Sequence, residues 1–174
     1  MNLTDFKIVR LDDNTVFKAF SCSDTDLNNF LFEDAKKYTN ELLAATFLVE
    51  SEDSIVAYFS LINDSVNLKY NESKTKNRFN RALPNAKRIN NYPAIKIGRL
   101  AVSESFISNN IGSQIISLTK RWFRPNSFSG CRFILVDAYA AAIPFYIKNG
   151  FQFLTSEDQE DDTRLMYFDL KRFF

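Results

Sequence analysis

The sequence contains no histidine and only two cysteines, Cys22 and Cys131. Standing alone in their segments, the two thiols offer neither a zinc-ligand spacing nor a disulfide framework. The opening residues, Met-Asn-Leu-Thr-Asp-Phe-Lys, carry no apolar signal region. Nowhere does an apolar run approach the roughly 18 residues that a membrane span requires. A repeat at a period of 20–50 residues is absent, as is any low-complexity tract. Together these absences point to a cytoplasmic chain with no membrane role and no metal.

What is present suits a single domain spanning residues 1–174, long enough to bury a substantial core. Hydrophobic residues at 45% and charged residues at 25% are ordinary for a globular protein, and the 18 phenylalanines imply an aromatic core. Net charge is +1, but unevenly spread. Nine Lys or Arg (69, 74, 76, 78, 81, 87, 88, 96 and 99) face one acid, Glu72, in the stretch 69–99, whereas 157–162 holds five acids and no base. Such runs are commonly solvated loops; the basic one also suits an acidic partner such as nucleic acid.

Phe6 to Val9 reads as a first strand. Ser23 or Asp24 can cap a helix whose apolar stripe is Leu27, Phe30, Leu31 and Ala35. Residues 44–50 and 55–62 read as a hairpin around Glu52-Asp53-Ser54. The polar stretch 63–93, punctuated by Pro84 and Pro93, reads as irregular or mixed. A strand at 95–102, a helix from about Gly112 to Phe123, a strand at 132–136, a helix at 140–149 closed by Gly150, and strands at 151–154 and 165–170 follow. Alternation of strand and helix in the second half, after a hairpin-rich first half, predicts an α/β fold with a mixed sheet.

One stretch is richer than the rest. Lys96-Ile97-Gly98-Arg99-Leu100-Ala101-Val102 runs into the polar turn Ser108-Asn109-Asn110-Ile111-Gly112, and a helix opens there. Unpaired N–H groups and the helix dipole converge at such a turn, forming a ready site for a phosphate or pyrophosphate. Further on, Phe145-Tyr146 sits on a helix that ends at Gly150-Phe151 and feeds another strand.

This order of elements, the Arg-Leu-Ala-Val segment before a Gly-containing strand–helix turn, and Phe-Tyr-x-x-x-Gly-Phe resemble the GNAT superfamily of acyl-CoA N-acyltransferases, over nearly the whole chain. Phe20-Ser-Cys-Ser followed by Leu27-Asn-Asn-Phe30-Leu31 resembles the branch containing acetyltransferase toxins of toxin–antitoxin modules, which acetylate aminoacyl-tRNA. Gly130 to Ala138 resembles a segment of acetyltransferases without an assigned role. The resemblance implies a mixed, splayed sheet flanked by helices, with acetyl-CoA as cosubstrate. Leu100, Ala101 and Val102 would pair with its pantetheine arm and polarise the thioester carbonyl, with Val136-Asp137-Ala138 on the other side of the splay. Asn109, Asn110, Ile111, Gly112 and Ser113 would hold its pyrophosphate. The chain departs from the family at this turn, where only the last glycine remains; Asn109 and Asn110 can still enter left-handed backbone space.

By the same resemblance, Tyr146 would donate a proton to the leaving thiolate, with Tyr139 as a weaker competitor; packing beside Phe145 is the other reading of Tyr146. A phenol of pKa about 10 is a weaker acid than a thiol of about 8.5, so partial stabilisation suffices. Without histidine, Asp137 and Glu104 are the acids nearest the expected site, and Asp137 could equally cap the following helix. An α-amine near pKa 8 is neutral roughly one time in ten at pH 7 and scarcely needs a base. That favours an α-amino acceptor, although the choice between a small-molecule or peptide amine and an aminoacyl-tRNA stays open. The implied partners are the amine acceptor, tRNA, a small antitoxin and a second copy in a homodimer. A non-catalytic binding module of the same fold is the alternative.

Overall fold

A computed structural model of the chain describes residues 1–67, 77, 91–124, 129–156 and 158–174. These fall into two compact units, Met1–Asn63 with Ile97–Arg121 and Asp64–Lys96 with Trp122–Phe174. The strands are β1 (Lys7–Arg10), β2 (Ala45–Glu50), β3 (Ile55–Asn67), β4 (Asn91–Val102), β5 (Phe133–Tyr139), β6 (Gln152–Phe153) and β7 (Thr163–Asp169). They form one mixed sheet in the order β1-β2-β3-β4-β5-β7-β6. The β4–β5 pair is parallel, while β1–β2, β2–β3, β5–β7 and β6–β7 are antiparallel.

In the first unit the expected hairpin pairs Phe47 with Phe59, and their rings stack at 5.2 Å. Helix α1 (Thr25–Asn29) starts where Asp24 accepts a hydrogen bond from the Leu27 N–H at 3.2 Å, which satisfies one of the orphan donors of a helix start. A π-helical stretch at Phe30–Asp34 and helix α2 (Ala35–Asn40) continue the rod. The apolar stripe read from sequence packs as expected. Phe30, Leu31 and Ala35 are buried with Leu11, Leu48, Ile55, Tyr58 and Ala101, and Leu27 packs against them.

The second unit has its own apolar cluster, in which Val66, Tyr92, Ala94, Phe133, Leu135, Leu154 and Tyr167 are buried together. Val66 and Tyr92 belong to segments that the sequence reading assigned to the irregular stretch. β3 in fact runs through Asn67, and β4 starts at Asn91 with Pro93 inside it. A strand proline must leave its missing donor at an edge or unpaired position; here Pro93 is exposed, and its carbonyl still accepts the Arg132 N–H at 2.9 Å. The other predicted element boundaries lie within a few residues of those observed, except that β6 keeps only two of four expected residues.

Candidate functional site

The first unit contains the strand–turn–helix segment. β4 ends at Val102, and the backbone is at once tied down: the Ser103 N–H donates to the Val56 carbonyl at 2.9 Å and the Glu104 N–H to Ser21 at 3.1 Å. A 3-10 segment, Glu104–Asn109, follows. Asn110 then takes left-handed geometry, with φ 58° and ψ 20°, and helix α3 (Ile111–Trp122) begins. Of the two asparagines expected to shape the turn, Asn110 therefore makes the left-handed step and Asn109 ends the 3-10 segment. The Gln114 N–H bonds to the Asn110 carbonyl at 3.2 Å. The N–H groups of Ile111 and Gly112 lie ahead of that bond, at the positive end of a 12-residue helix.

Packing fixes the direction of this end. Ile111, Gly112, Ile115 and Ile116 are buried, so α3 cannot roll without exposing them. Gln114 braces the turn: its Oε1 accepts the Leu3 N–H at 2.6 Å, and its Nε2 donates to the Asn109 carbonyl at 3.3 Å. Leu100 and Val102 are half-buried, while Ala101 between them is buried. Ser113 is half-buried and already holds a partner.

The second unit carries Tyr146 on helix α4 (Ile143–Lys148), which Pro144 opens in its first turn and Gly150 ends at φ +84°. Proline suits that place because its missing N–H is an orphan donor there anyway. The Tyr146 ring is buried, 7% exposed, with Phe145 edge-on at 5.1 Å and Phe151 edge-on at 5.4 Å. Its hydroxyl makes no hydrogen bond among the described residues. Burial pushes the phenol up to about 12, because the phenolate would lose its hydration. Tyr146 is thus a protonated donor at any physiological pH. Tyr139, at the end of β5, is 60% exposed.

Asp137 does not cap a helix. Its carboxylate forms an ion pair with Lys96, on the neighbouring strand of the same unit. The β4–β5 register runs over Ala94↔Phe133, Ile95↔Ile134 and Lys96↔Leu135, so Lys96 stands on the last rung of that ladder and Asp137 lies beyond it on β5. Sequence reading missed this pair, because Lys96 and Asp137 meet only through the parallel register.

Neither cysteine is activated. The Cys22 thiol donates to the Asp24 carbonyl at 3.3 Å and is raised above its ordinary value, chiefly by burial. Cys131 donates to the Phe133 carbonyl at 3.3 Å and is likewise raised by burial. Nucleophilic cysteines have lowered pKa values, so both thiols read as packing. Of the nine residues in the basic run only Lys96 and Arg99 are described; Lys69, Lys74, Lys76, Arg78, Arg81, Lys87 and Arg88 lie outside the described residues, as do Glu72, Pro84 and Glu157.

Among the described residues no helix is long and apolar enough to cross a membrane. No family model matches the sequence. No curated protein matches it either. Solved structures do. A tyrosine-to-phenylalanine variant of KacT has a TM-score of 0.79 at 22% identity, covering 98% of this chain and 99% of that one. AtaT complexed with acetyl-methionyl-tRNAfMet has a TM-score of 0.78 at 21% identity, covering 97% of each chain. AtaTR bound with acetyl-CoA has a TM-score of 0.76 at 21% identity, covering 97% and 96%. At this identity the likeness speaks for architecture: the chain has the GNAT fold of these toxin structures, a mixed seven-stranded sheet with flanking helices.

Proposed function

We propose that this chain is an N-acetyltransferase that moves an acetyl group from acetyl-CoA directly to an amine. The observation that carries this reading is the backbone at Asn110–Gly112. A left-handed residue turns the chain out of the 3-10 segment, so that a well-packed helix presents its first N–H groups and its positive end together. That arrangement is what a pyrophosphate needs. The complex of AtaTR with acetyl-CoA, on the same fold, supports it.

Asn109, Asn110, Ile111, Gly112 and Ser113 would hold the pyrophosphate by backbone contacts. Leu100, Ala101 and Val102 would hold the pantetheine arm and polarise the thioester carbonyl through a main-chain N–H. Tyr146, a neutral phenol with no hydrogen bond of its own among the described residues, would donate to the departing sulfur. KacT and AtaT have each been prepared with one tyrosine changed to phenylalanine, which supports attention to a tyrosine hydroxyl.

For the acceptor we propose an α-amine, that of aminoacyl-tRNA first. Asp137 is engaged with Lys96, which leaves Glu104, exposed and in no ion pair among the described residues, as the other carboxylate read from sequence, and an α-amine is the acceptor that least needs a base. The complex of AtaT with acetyl-methionyl-tRNAfMet points the same way. An antitoxin partner is proposed on the likeness to AtaT bound to the C-terminus of AtaR. The test is transfer of a labelled acetyl group to methionyl-tRNA at rising salt. Each phosphate neutralised by a lysine or arginine releases counterions, so Lys87→Ala with Arg88→Ala should flatten the log–log salt dependence by roughly two units. Equal transfer to a small amine at all salt concentrations, with the double variant unchanged on tRNA, would replace tRNA with a small acceptor.

A further inference from the structure

Three described arginines lie over aromatic rings: Arg99 over Phe30 at 5.0 Å, Arg132 over Phe133 at 5.5 Å and Arg164 over Phe153 at 4.3 Å. Each guanidinium has a side-on edge, made of Nε and Nη2, that matches two oxygens of a carboxylate or phosphate. Arg132 presents this edge to Asp169, with Nε 2.8 Å from Oδ1 and Nη2 2.9 Å from Oδ2. Arg164 presents it to Asp158 at 2.8 Å and to the Thr155 carbonyl at 3.3 Å. Both edges face an oxygen within 3.3 Å, although the Arg132 Nε, 2.8 Å from Oδ1, lies off the line of a hydrogen bond and is held by the ion pair.

Arg99 differs. Its Nη1 donates to the Gly98 carbonyl at 2.9 Å, which with the Phe30 ring fixes the plane of the group. Its Nε is out of contact with water and has no hydrogen-bond acceptor. The nearest carboxylate to Nη2, that of Asp26 on α1, stands at 3.7 Å, beyond hydrogen-bond reach, and is 72% exposed. A buried donor left without an acceptor is unfavourable and rare. Yet this one belongs to a charged side chain that is 40% exposed, so part of the group meets solvent although Nε itself does not. Its position is also telling: Arg99 immediately precedes Leu100, and shares a strand face with Ala101, which is buried among the α1 and π-helix residues.

We propose that the Nε/Nη2 edge of Arg99 is a recognition site for an oxyanion of the acceptor, a carboxylate or a phosphate carried near the reacting amine. The anion would complete the fork that Arg132 and Arg164 complete internally, with Asp26 moving aside. This deepens the proposed function and rests on it for the identity of the bound molecule as acceptor; the existence of the open fork does not.

The first test needs no catalysis. The Nε–H resonance of Arg99 is assigned as the signal missing in Arg99→Lys, and the uniformly ¹⁵N-labelled protein is titrated with inorganic phosphate and separately with sodium acetate. A saturable downfield shift with phosphate assigns a phosphate site, and one with acetate a carboxylate site. No saturable shift with either overturns the proposal. The second test compares acceptors that share one amine: methionine amide, methionine, and 3′-O-methionyl-adenosine 5′-phosphate. Arg99→Lys keeps the charge and loses the fork. The ratio of kcat/KM between the preferred anionic acceptor and methionine amide should fall about 10- to 100-fold, the size of a lost charge-assisted bond. An unchanged ratio, with acetyl-CoA still bound in calorimetry, overturns the anion site alone. Silence in calorimetry and no transfer to any acceptor instead removes the acetyltransferase reading, leaving the resonance shift to decide the fork.

Discussion

Phe151 meets Tyr146 edge-on at 5.4 Å, and the Phe151 N–H donates to the Tyr146 carbonyl at 3.0 Å. Ring and backbone are thus fixed by the same residue. Gly150, between the helix end and Phe151, makes this doubling back feasible with its φ of +84°. The hydroxyl is the part of Tyr146 with no hydrogen bond among the described residues.

Replacing that hydroxyl should therefore separate chemistry from packing. Tyr146→Phe keeps the ring contacts, so acetyl-CoA affinity should hold while kcat falls about 10²–10⁴-fold. Steady-state kinetics with calorimetry on the same samples checks this. Unchanged kcat would make Tyr146 a packing residue.

The same hydroxyl predicts a pH signature. Its pKa rises from an ordinary value of 10 to about 12 on folding, through burial. The unfolded chain therefore releases this proton first as pH rises. The stabilisation is complete below pH 10 and is lost between pH 10 and 12, a loss of roughly 3 kcal/mol. Urea unfolding at pH 9 and at pH 12 should show wild type losing about that much more stability than Tyr146→Phe. Parallel losses would mean that the hydroxyl is hydrated in the folded state.

Leu42 is left-handed, at φ 57°, and 89% exposed. Its side chain contributes little packing, whereas its backbone geometry is costly for any residue with a Cβ. Leu42→Gly should stabilise by about 0.5–1 kcal/mol and raise Tm by a few degrees, seen by calorimetry. A lowered Tm would show that Leu42 is held by contacts rather than strained.

Gly150→Ala should do the reverse. A Cβ there would stand 3.1 Å from Cε2 of Phe168, on a backbone that L residues rarely adopt. A loss of about 1–3 kcal/mol is expected, again by thermal unfolding. An unchanged Tm would mean that the Phe168 ring yields freely.

Local chemistry made much of this legible in the sequence. Asp24 before an apolar stripe announced a helix, and the Glu52-Asp53-Ser54 turn between two apolar runs announced a hairpin, because both signals act within a few residues. Residues 63–67 and 91–93 were misread for the same reason. Their polar side chains and a proline suggest a loop, while Val66 and Tyr92 are strand residues by virtue of partners distant in sequence, Phe133 among them. The turn at Asn109–Gly112 was legible as a turn, but which asparagine goes left-handed depends on how Ile111 and Ile115 anchor α3. The Lys96–Asp137 pair and the open edge of Arg99 depend wholly on tertiary register and packing.

Calorimetric titration of the protein with acetyl-CoA tests the central claim most directly, run beside Gly112→Asp, which sets a negative charge at the start of α3. The account predicts saturable binding by wild type, with a matching rise in Tm, and no binding by a Gly112→Asp protein that circular dichroism shows to be folded. Absence of heat and of any Tm shift for wild type at millimolar acetyl-CoA would contradict it.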